Sequence, residues 1–140
     1  MRIPGLRSPY AKIGGIVYFG RMLDKVRLHA VGQLPKDYIP NLGAGFDGFC
    51  LRFLWIEYPD LVARVKEGGP DEDILAWAFA RGRKPSEDEI FVWNEFMRKR
   101  GWRDDISERL AMRKAESGFE NRDDIRTFFD YIDADEGRPV

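Results

Sequence analysis

After residue 20, apolar side chains recur every three to four positions over most of the chain, which is the period of an α-helix. The first such stretch has an apolar arc formed by Met22, Leu23, Val26, Ala30 and Leu34. We expect Pro35 to end this helix, because the proline ring has no N–H to donate and clashes with the preceding turn. A Pro- and Gly-rich loop is expected over residues 35–48. The apolar run at residues 49–56 fits either a helix or a strand, and we favour the helix.

The second half of the chain carries start and stop signals for five further helices. Pro59 suits the first turn of one helix, and Gly68-Gly69 ends it. The acidic run after Pro70 complements the dipole of the next helix, and Ser86 and Glu89 have the spacing of a capping box. The buried faces of these helices are expected to contain Leu61, Val62 and Val65; Ile74, Leu75 and Ala78; Ile90, Trp93, Phe96 and Met97; Ile106, Leu110 and Ala111; and Ile125, Phe128, Phe129 and Ile132.

The two ends of the chain lack this periodicity. Residues 1–19 contain turn-favouring pairs such as Gly14-Gly15, so we expect an irregular, Pro- and Gly-rich arm that packs on the core. Asn94 lies beside a predicted buried face and is expected to hydrogen-bond a loop such as this arm. Residues 134–140 are expected to form a frayed tail. The sequence therefore predicts an all-α fold, with residues 1–140 forming a single compact domain of about six short helices.

Composition excludes several classes of protein. A hydrophobic content of 44% is too high for a disordered chain, and the longest apolar run has far fewer than the roughly 18 residues of a membrane span. The single cysteine, Cys50, excludes an internal disulfide and favours a reducing compartment. One His and one Cys are too few soft ligands for zinc, so we expect neither a metal site nor a cofactor. Because the N-terminus also lacks the apolar core of a signal peptide, we expect a cytoplasmic protein with no membrane partner.

The charge of the chain is balanced overall but unevenly distributed. A net charge of −1 argues against non-specific nucleic-acid binding as the main role, because that binding needs a basic surplus. The basic, aromatic run at residues 98–103 has the composition of a nucleic-acid site, but Asp104 and Asp105 follow it directly, so nucleic acid is an unlikely partner. Residues 1–40 are rich in bases and residues 41–80 in acids. These segments either dock on each other or leave a basic patch for an anionic ligand.

Several segments along the chain form a recognisable set: Arg7-Ser8-Pro9, Gly14-Gly15, the run at residues 21–27, Gly45-Phe46-Asp47, Phe53-Leu54, the run at residues 68–73, Trp93-Asn94 and Gly101-Trp102. In these segments the sequence resembles a bacterial family known only as a domain of unknown function, DUF5069. The resemblance covers nearly the whole chain, and its clustered opening is fairly specific. It implies a small, stand-alone soluble protein and supplies no activity and no catalytic residue.

A row of cationic and protonatable side chains borders the first apolar arc. Arg21, Lys25 and His29 are spaced i, i+4 and i+8, so they share one edge of that arc. Together with their expected neighbours Tyr18 and Arg27, these side chains can bind a phosphate or carboxylate. His29 can also transfer a proton near neutral pH. The alternative is that acidic residues neutralise the cations in structural ion pairs.

A glycine-rich segment is the remaining candidate motif. Residues 43–48 match the pattern G-x-G-x-x-G, but a dinucleotide site needs a preceding strand, and Pro40 is a poor residue for one. We therefore expect a turn here, with Asp47 capping the helix that follows.

Two functions of different classes follow from these features. The preferred one is a binding or interaction module for an anionic small molecule or a protein partner, as a monomer or a homodimer. The alternative is an enzyme that acts on a small anionic substrate. In that enzyme His29 or Tyr18 is the acid–base group, and Lys25 and Arg27 are electrostatic stabilisers.

Overall fold

The computed structural model describes residues 2–140, which form seven helices and one two-stranded hairpin. The helices are α1 (Phe19–Ala30), α2 (Phe46–Leu54), α3 (Tyr58–Lys66), α4 (Asp71–Arg81), α5 (Glu87–Lys99), α6 (Ser107–Glu116) and α7 (Phe128–Asp135). In the hairpin, β1 (Lys12–Ile13) pairs antiparallel with β2 (Ile16–Val17). The mostly helical single domain predicted from the sequence is confirmed. None of the helices in the described part of the chain has the length and apolar character that crossing a bilayer requires.

The core is assembled around α1, which is buried on nearly all sides. Phe19, Met22 and Leu23 have no exposed surface, and complete burial of such a side chain stabilises the fold by about 1.5–3 kcal/mol. Helix α1 packs on α3, whereas α5 packs on both β2 and α7. Phe53 of α2 stacks on Trp93 of α5 with ring centroids 4.6 Å apart, which joins the two halves of the chain.

Helix α1 ends at Ala30, so the expectation that it continues to Pro35 was wrong. Gly32 takes a φ of +71°, and its N–H donates to the carbonyl of His29. The N–H of Gln33 donates to the carbonyl of Leu28, which completes a glycine-terminated helix end. Leu34 is buried, as its apolar character suggested, but it lies beyond the turn in a separate small cluster.

The segment predicted as a loop over residues 35–48 contains regular structure. A 3₁₀ turn covers Lys36–Asn41, and α2 begins at Phe46, which confirms a helix for most of the ambiguous run. Gly43 and Gly45 have positive φ, so the glycine-rich motif is a turn, as predicted. Asp47 does not cap α2, because it lies inside the helix and accepts hydrogen bonds from other segments.

Two predicted buried faces need correction. Phe96 is 45% exposed, because the buried side of α5 is set by Trp93 and Met97 and leaves Phe96 at its edge. In α6 Leu110 is buried, but Ala111 is exposed. The capping box at Ser86 is confirmed, with its hydroxyl and the Glu89 carboxylate each accepting a backbone N–H.

The chain ends are more ordered than the sequence predicted. The N-terminal arm contains the short hairpin, and Asn94 binds it as expected: its side-chain oxygen accepts the Val17 N–H, and its amide donates to the Gly15 carbonyl. Near the C-terminus, Glu136 is 2% exposed, and Arg138 donates to the Leu6 carbonyl. Residues 134–138 therefore pack on the body of the protein in place of the expected frayed tail.

Candidate functional site

A cleft of about 800 Å³ opens between α1 and α2 on one side and α6 and α7 on the other. The periodicity of each helix aligns the lining side chains on one face, since positions three, four or seven apart lie above one another. These side chains include Arg21 and Lys25 from α1; Phe46, Phe49 and Arg52 from α2; Arg109, Arg113 and Glu116 from α6; and Phe128, Tyr131, Ile132 and Asp135 from α7.

Three polar side chains meet at the floor of the cleft. The Lys25 ammonium lies 2.7 Å from Oδ1 of Asp47 and donates to the Tyr18 hydroxyl at 3.1 Å. The Tyr18 hydroxyl donates to the same Asp47 oxygen at 2.7 Å, and Oδ2 accepts the Gly43 N–H at 3.0 Å. The Lys25 side chain is only 6% exposed and that of Asp47 is fully buried. We call Tyr18, Lys25 and Asp47 the buried trio.

Burial changes the proton affinities of the trio. Burial lowers the pKa of Lys25, and the nearby Asp47 carboxylate, which acts in the opposite direction, does not reverse this shift. Burial also raises the pKa of Tyr18 well above its ordinary value, and the charge of Asp47 adds to this effect. Lys25 therefore loses its proton more readily than an ordinary lysine, whereas Tyr18 stays a neutral phenol that can donate a hydrogen bond.

The backbone of Tyr18 has a left-handed conformation. Its φ is 75° and its ψ is −28°, a region that a bulky side chain rarely adopts and that costs on the order of 1–3 kcal/mol. The preceding residue is held by α5, where Trp93 donates to the Val17 carbonyl and Asn94 accepts the Val17 N–H. Such strain is concentrated at functional sites, and here it accompanies the position of the Tyr18 hydroxyl between Lys25 and Asp47.

Arg21 lines the cleft but is already neutralised. It donates two hydrogen bonds to the carboxylate of Glu136, at 2.9 and 2.7 Å, and a third to the Arg7 carbonyl. Tyr38 and Arg138 also donate to Glu136, each at 2.7 Å. Burial raises the pKa of Glu136, but its hydrogen bonds and the charge of Arg21 outweigh burial and lower that pKa. This buried pair therefore has a structural role in joining α1 to the C-terminal segment.

The walls of the cleft carry arginines that form no direct ion pair. Among residues 2–140, Arg52, Arg109 and Arg113 form no ion pair, although all three line the cleft. The Arg52 guanidinium lies over the Phe49 ring, 5.1 Å from its centroid. Asp37, Glu116 and Asp135 share this lining, so the arginines are cationic groups in a cleft of mixed charge.

Arg100 is held in place at the same wall. Its guanidinium lies 5.8 Å from the ring centroid of Phe49 and 5.4 Å from that of Phe96, and it pairs with Asp104 and Asp105. Its Nε is the one buried side-chain polar atom in the described part of the chain that lacks a hydrogen-bond partner. A buried donor of this kind without a hydrogen-bond partner in the protein is unusual in a folded chain.

The structure brings three of the five candidate residues to this cleft. Tyr18, Arg21 and Lys25 line it. His29 is exposed in the last turn of α1, and Arg27 is also outside the cleft lining. Arg21 and Lys25, the first two positions of the row, lie on the same side of α1, as their i, i+4 spacing predicted. Binding of a ligand by these residues stays a prediction.

Arg27 belongs to a second ionic cluster on the other side of α1. It lies 2.7 Å from Asp71, and Arg7 contacts both Asp71 and Asp24 at 2.8 Å. Acidic residues thus neutralise part of the basic N-terminal segment, as the alternative interpretation of its charge predicted. These ion pairs link the N-terminal arm, through Arg7, to Asp71 at the start of α4.

Sequence reasoning missed several residues of the site. Arg109 and Arg113 carry a usable signal, because their i, i+4 spacing puts both on one face of α6 beside Leu110. Asp47 and Glu136 carry none, since their role depends on the packing of distant segments. Cys50 lies near the trio, but burial raises the pKa of its thiol far above the ordinary value, so the thiol is unreactive.

The described residues hold no arrangement of three His, Cys, Asp or Glu side chains able to bind a metal ion. A comparison with curated proteins found no significant match. In a comparison with family models, the family described as Domain of unknown function (DUF5069) matches residues 3–138. Since the match spans nearly the whole chain, it confirms the resemblance seen in the motifs. The chain belongs to the DUF5069 family.

Proposed function

We propose that this protein binds a small anionic molecule in the cleft between α1, α2, α6 and α7. Basic side chains outnumber acidic ones along the walls, and a volume of about 800 Å³ suits a ligand of metabolite size. The observation that carries the proposal is that Arg109 and Arg113 face this cleft with no ion-pair partner among the described residues. The single cysteine of the chain supports action in the reducing cytoplasm.

The lining also favours a ligand with a flat apolar part. Phe46, Phe49, Phe128 and Tyr131 contribute aromatic rings to the same walls as the arginines. Aromatic rings stack on planar groups, while guanidinium groups bind phosphate or carboxylate through two parallel hydrogen bonds. A phosphate or carboxylate attached to an aromatic ring therefore fits both features.

Pyridoxine 5′-phosphate tests the proposal, because it combines a phosphate with an aromatic ring. We expect it to raise the melting temperature of the wild type and to bind measurably in calorimetry. The double variant Arg109→Ala/Arg113→Ala should lose at least about tenfold in affinity, since each charge-assisted hydrogen bond contributes about 1.5–3 kcal/mol.

The matched control is Lys66→Ala/Arg126→Ala, which removes the same charge from exposed side chains outside the cleft lining. It should bind pyridoxine 5′-phosphate within about twofold of the wild type. Equal weakening in the two double variants would mean that net charge alone attracts the phosphate and would contradict a cleft site.

A protein partner is the second candidate. On α5, Val92 and Phe96 are 64% and 45% exposed and share one face at i, i+4 spacing, and Phe91 beside them is 66% exposed. Exposed apolar patches of this kind mark interaction sites. Light scattering of the wild type would test the simplest version, a homodimer. A dimer that Phe91→Ser/Val92→Ser converts to a monomer supports it, whereas a monomeric wild type at high concentration excludes it.

The enzymatic alternative now concerns fewer residues. Tyr18 and Lys25 share the floor of the cleft, but His29 and Arg27 lie outside its lining. An acid–base role for Tyr18 is compatible with its hydrogen bonds, and the role of Lys25 is developed below.

A further inference from the structure

Lys25 differs from the other lysines of the chain in its surroundings. It is the buried lysine of the described residues and the one lysine that lines the cleft. Its amine contacts an acid, Asp47, and a phenol, Tyr18, at hydrogen-bond distances of 2.7 and 3.1 Å. An amine with a proton acceptor and a proton donor beside it, open to a ligand-sized cleft, has the surroundings of a nucleophile.

We propose that Lys25 forms an imine with the carbonyl group of an anionic aldehyde or ketone bound in the cleft. The substrate class is a small carbonyl compound that carries a phosphate or carboxylate. This inference rests on the proposed function, because Arg109 and Arg113 hold the anionic end while the carbonyl group reaches the floor.

The buried trio contains the groups that this reaction needs. Asp47 takes a proton from the Lys25 ammonium, and the free amine attacks the carbonyl carbon to form the C–N bond. The carbonyl oxygen receives that proton through the Tyr18 hydroxyl, which already bonds Asp47 at 2.7 Å. A second proton follows the same route from nitrogen to oxygen, and the C–O bond breaks to release water. Ammonium plus carbonyl compound thus gives protonated imine plus one water, with Asp47 and Tyr18 restored.

A purely structural ion pair accounts less well for these features. Apolar side chains of similar volume would join α1 to α2 at equal or lower free-energy cost than a buried Lys–Asp pair. Tyr18 also adopts its left-handed backbone at the position where its hydroxyl contacts both partners. The lowered pKa of Lys25 agrees with a lysine that can supply a neutral amine.

Pyridoxal 5′-phosphate serves as the probe, because it is the aldehyde counterpart of pyridoxine 5′-phosphate. The full chain is incubated with it, any imine is reduced with borohydride, and the modified lysines are mapped by peptide mass spectrometry. We expect Lys25 to be modified at lower probe concentrations than the exposed Lys66, and pyridoxine 5′-phosphate to protect Lys25 selectively.

Tyr18→Phe tests the proton route, because it keeps the ring and removes only the hydroxyl. We expect modification of Lys25 to slow by at least about tenfold, while the rate at Lys66 stays unchanged as an internal control. Circular dichroism establishes that this variant is folded before labelling. Lys25→Arg keeps the charge opposite Asp47 and should abolish the selective adduct without moving it to another residue.

The outcomes separate this proposal from the one on which it rests. If pyridoxine 5′-phosphate binds and depends on Arg109 and Arg113, yet Lys25 is never modified, the imine proposal is overturned and the anion site stands. Labelling spread over exposed lysines, or equal rates in the wild type and Tyr18→Phe, also overturns it. If Lys25 is modified but pyridoxine 5′-phosphate gives no protection, the anion-binding function is the one that fails.

Discussion

Replacing Asp47 with Asn is the most direct perturbation of the cleft floor. The substitution removes the negative charge that lies 2.7 Å from the Lys25 ammonium and leaves the shape of the side chain nearly unchanged. In the variant, the amide oxygen can still accept the hydrogen bond from the Tyr18 hydroxyl. The amide NH2 group then replaces the Oδ2 that accepts the Gly43 N–H in the wild type, so that hydrogen bond is lost. The Lys25 side chain is 6% exposed, so water compensates little for the lost counter-charge.

The expected loss of stability follows from two independent arguments. Removing one partner of a buried ion pair costs about 3–5 kcal/mol, because the other charge stays buried. The variant can limit this cost by releasing the proton of Lys25, which from an unfolded-state pKa of about 10.4 costs at most about 5 kcal/mol at pH 7. We therefore expect Asp47→Asn to lose about 3–5 kcal/mol, a large share of a typical domain's 5–15 kcal/mol.

The loss should depend on pH in a defined direction. In the wild type, burial and the charge of Arg21 lower the pKa of Lys25, whereas the charges of Asp47 and Glu136 raise it, and the net shift is downward. Removing the Asp47 charge lowers this pKa further. Between that folded-state pKa and about 10.4, the unfolded chain binds more protons than the folded one, so stability rises with pH. The deficit of Asp47→Asn should be full near pH 7 and shrink toward about pH 10.

Urea unfolding of the wild type, Asp47→Asn and Lys25→Met/Asp47→Asn measures these effects. The double variant should regain at least about 2 kcal/mol, because it removes the unpaired charge, while the lost acceptor for Gly43 is common to both variants. The reasoning is refuted if Asp47→Asn costs less than about 1 kcal/mol, if its deficit is the same at every pH, or if the double variant is no more stable than the single one.

Three further substitutions test other parts of the structure. Glu136→Gln should cost about 3–5 kcal/mol by leaving Arg21 unneutralised. The pKa of Glu136 is lowered in the folded protein, so its stabilising contribution in the wild type is present above the ordinary carboxyl pKa and is lost as the pH falls through the folded-state value. If the free energy of unfolding of the variant falls with acid as steeply as that of the wild type, this explanation is contradicted. Gly82→Ala would bring a Cβ into collision with the carbonyl oxygen of Leu54, so we expect a loss of about 1–3 kcal/mol in urea unfolding, and no loss would contradict that close approach. Ser86→Ala should lower the melting temperature by about 4 °C through loss of the capping box, whereas an unchanged melting temperature would mean that the cap contributes nothing.

The helices were predictable because their signals are local. Ser86 and its partner three residues later specify the start of α5, and Pro59 specifies the start of α3, without reference to the rest of the chain. The errors arose where apolar spacing continued beyond a helix or its buried face. Leu34 is buried after a turn, and Phe96 lies at the edge of its helix, so periodicity alone placed both incorrectly.

Only the part of the site that lies on a single helix, α1, was predictable from the sequence. The positions of Arg21 and Lys25 beside the apolar arc follow from α1 alone, and both are indeed at the cleft. Their partners follow from tertiary packing: Glu136 is 115 positions away from Arg21, and no spacing rule relates such distant residues. His29 extended the same row in the sequence, but the exposed last turn of α1 carries it outside the cleft lining.

Contacts between residues 8–21 and residues 130–136 set the order of events during synthesis. When α1 leaves the ribosome, Arg21 has no counter-charge until Glu136 follows, 115 positions later. The Ser8 hydroxyl donates to Asp133 at 3.0 Å and the Tyr10 hydroxyl to Asp130 at 2.6 Å, so these hydrogen bonds also form only after the distant partners are synthesised. The chain must therefore be synthesised through Glu136 before the amino-terminal segment reaches its native arrangement. Nascent chains arrested between α6 and α7 should consequently be targets for chaperones and proteases.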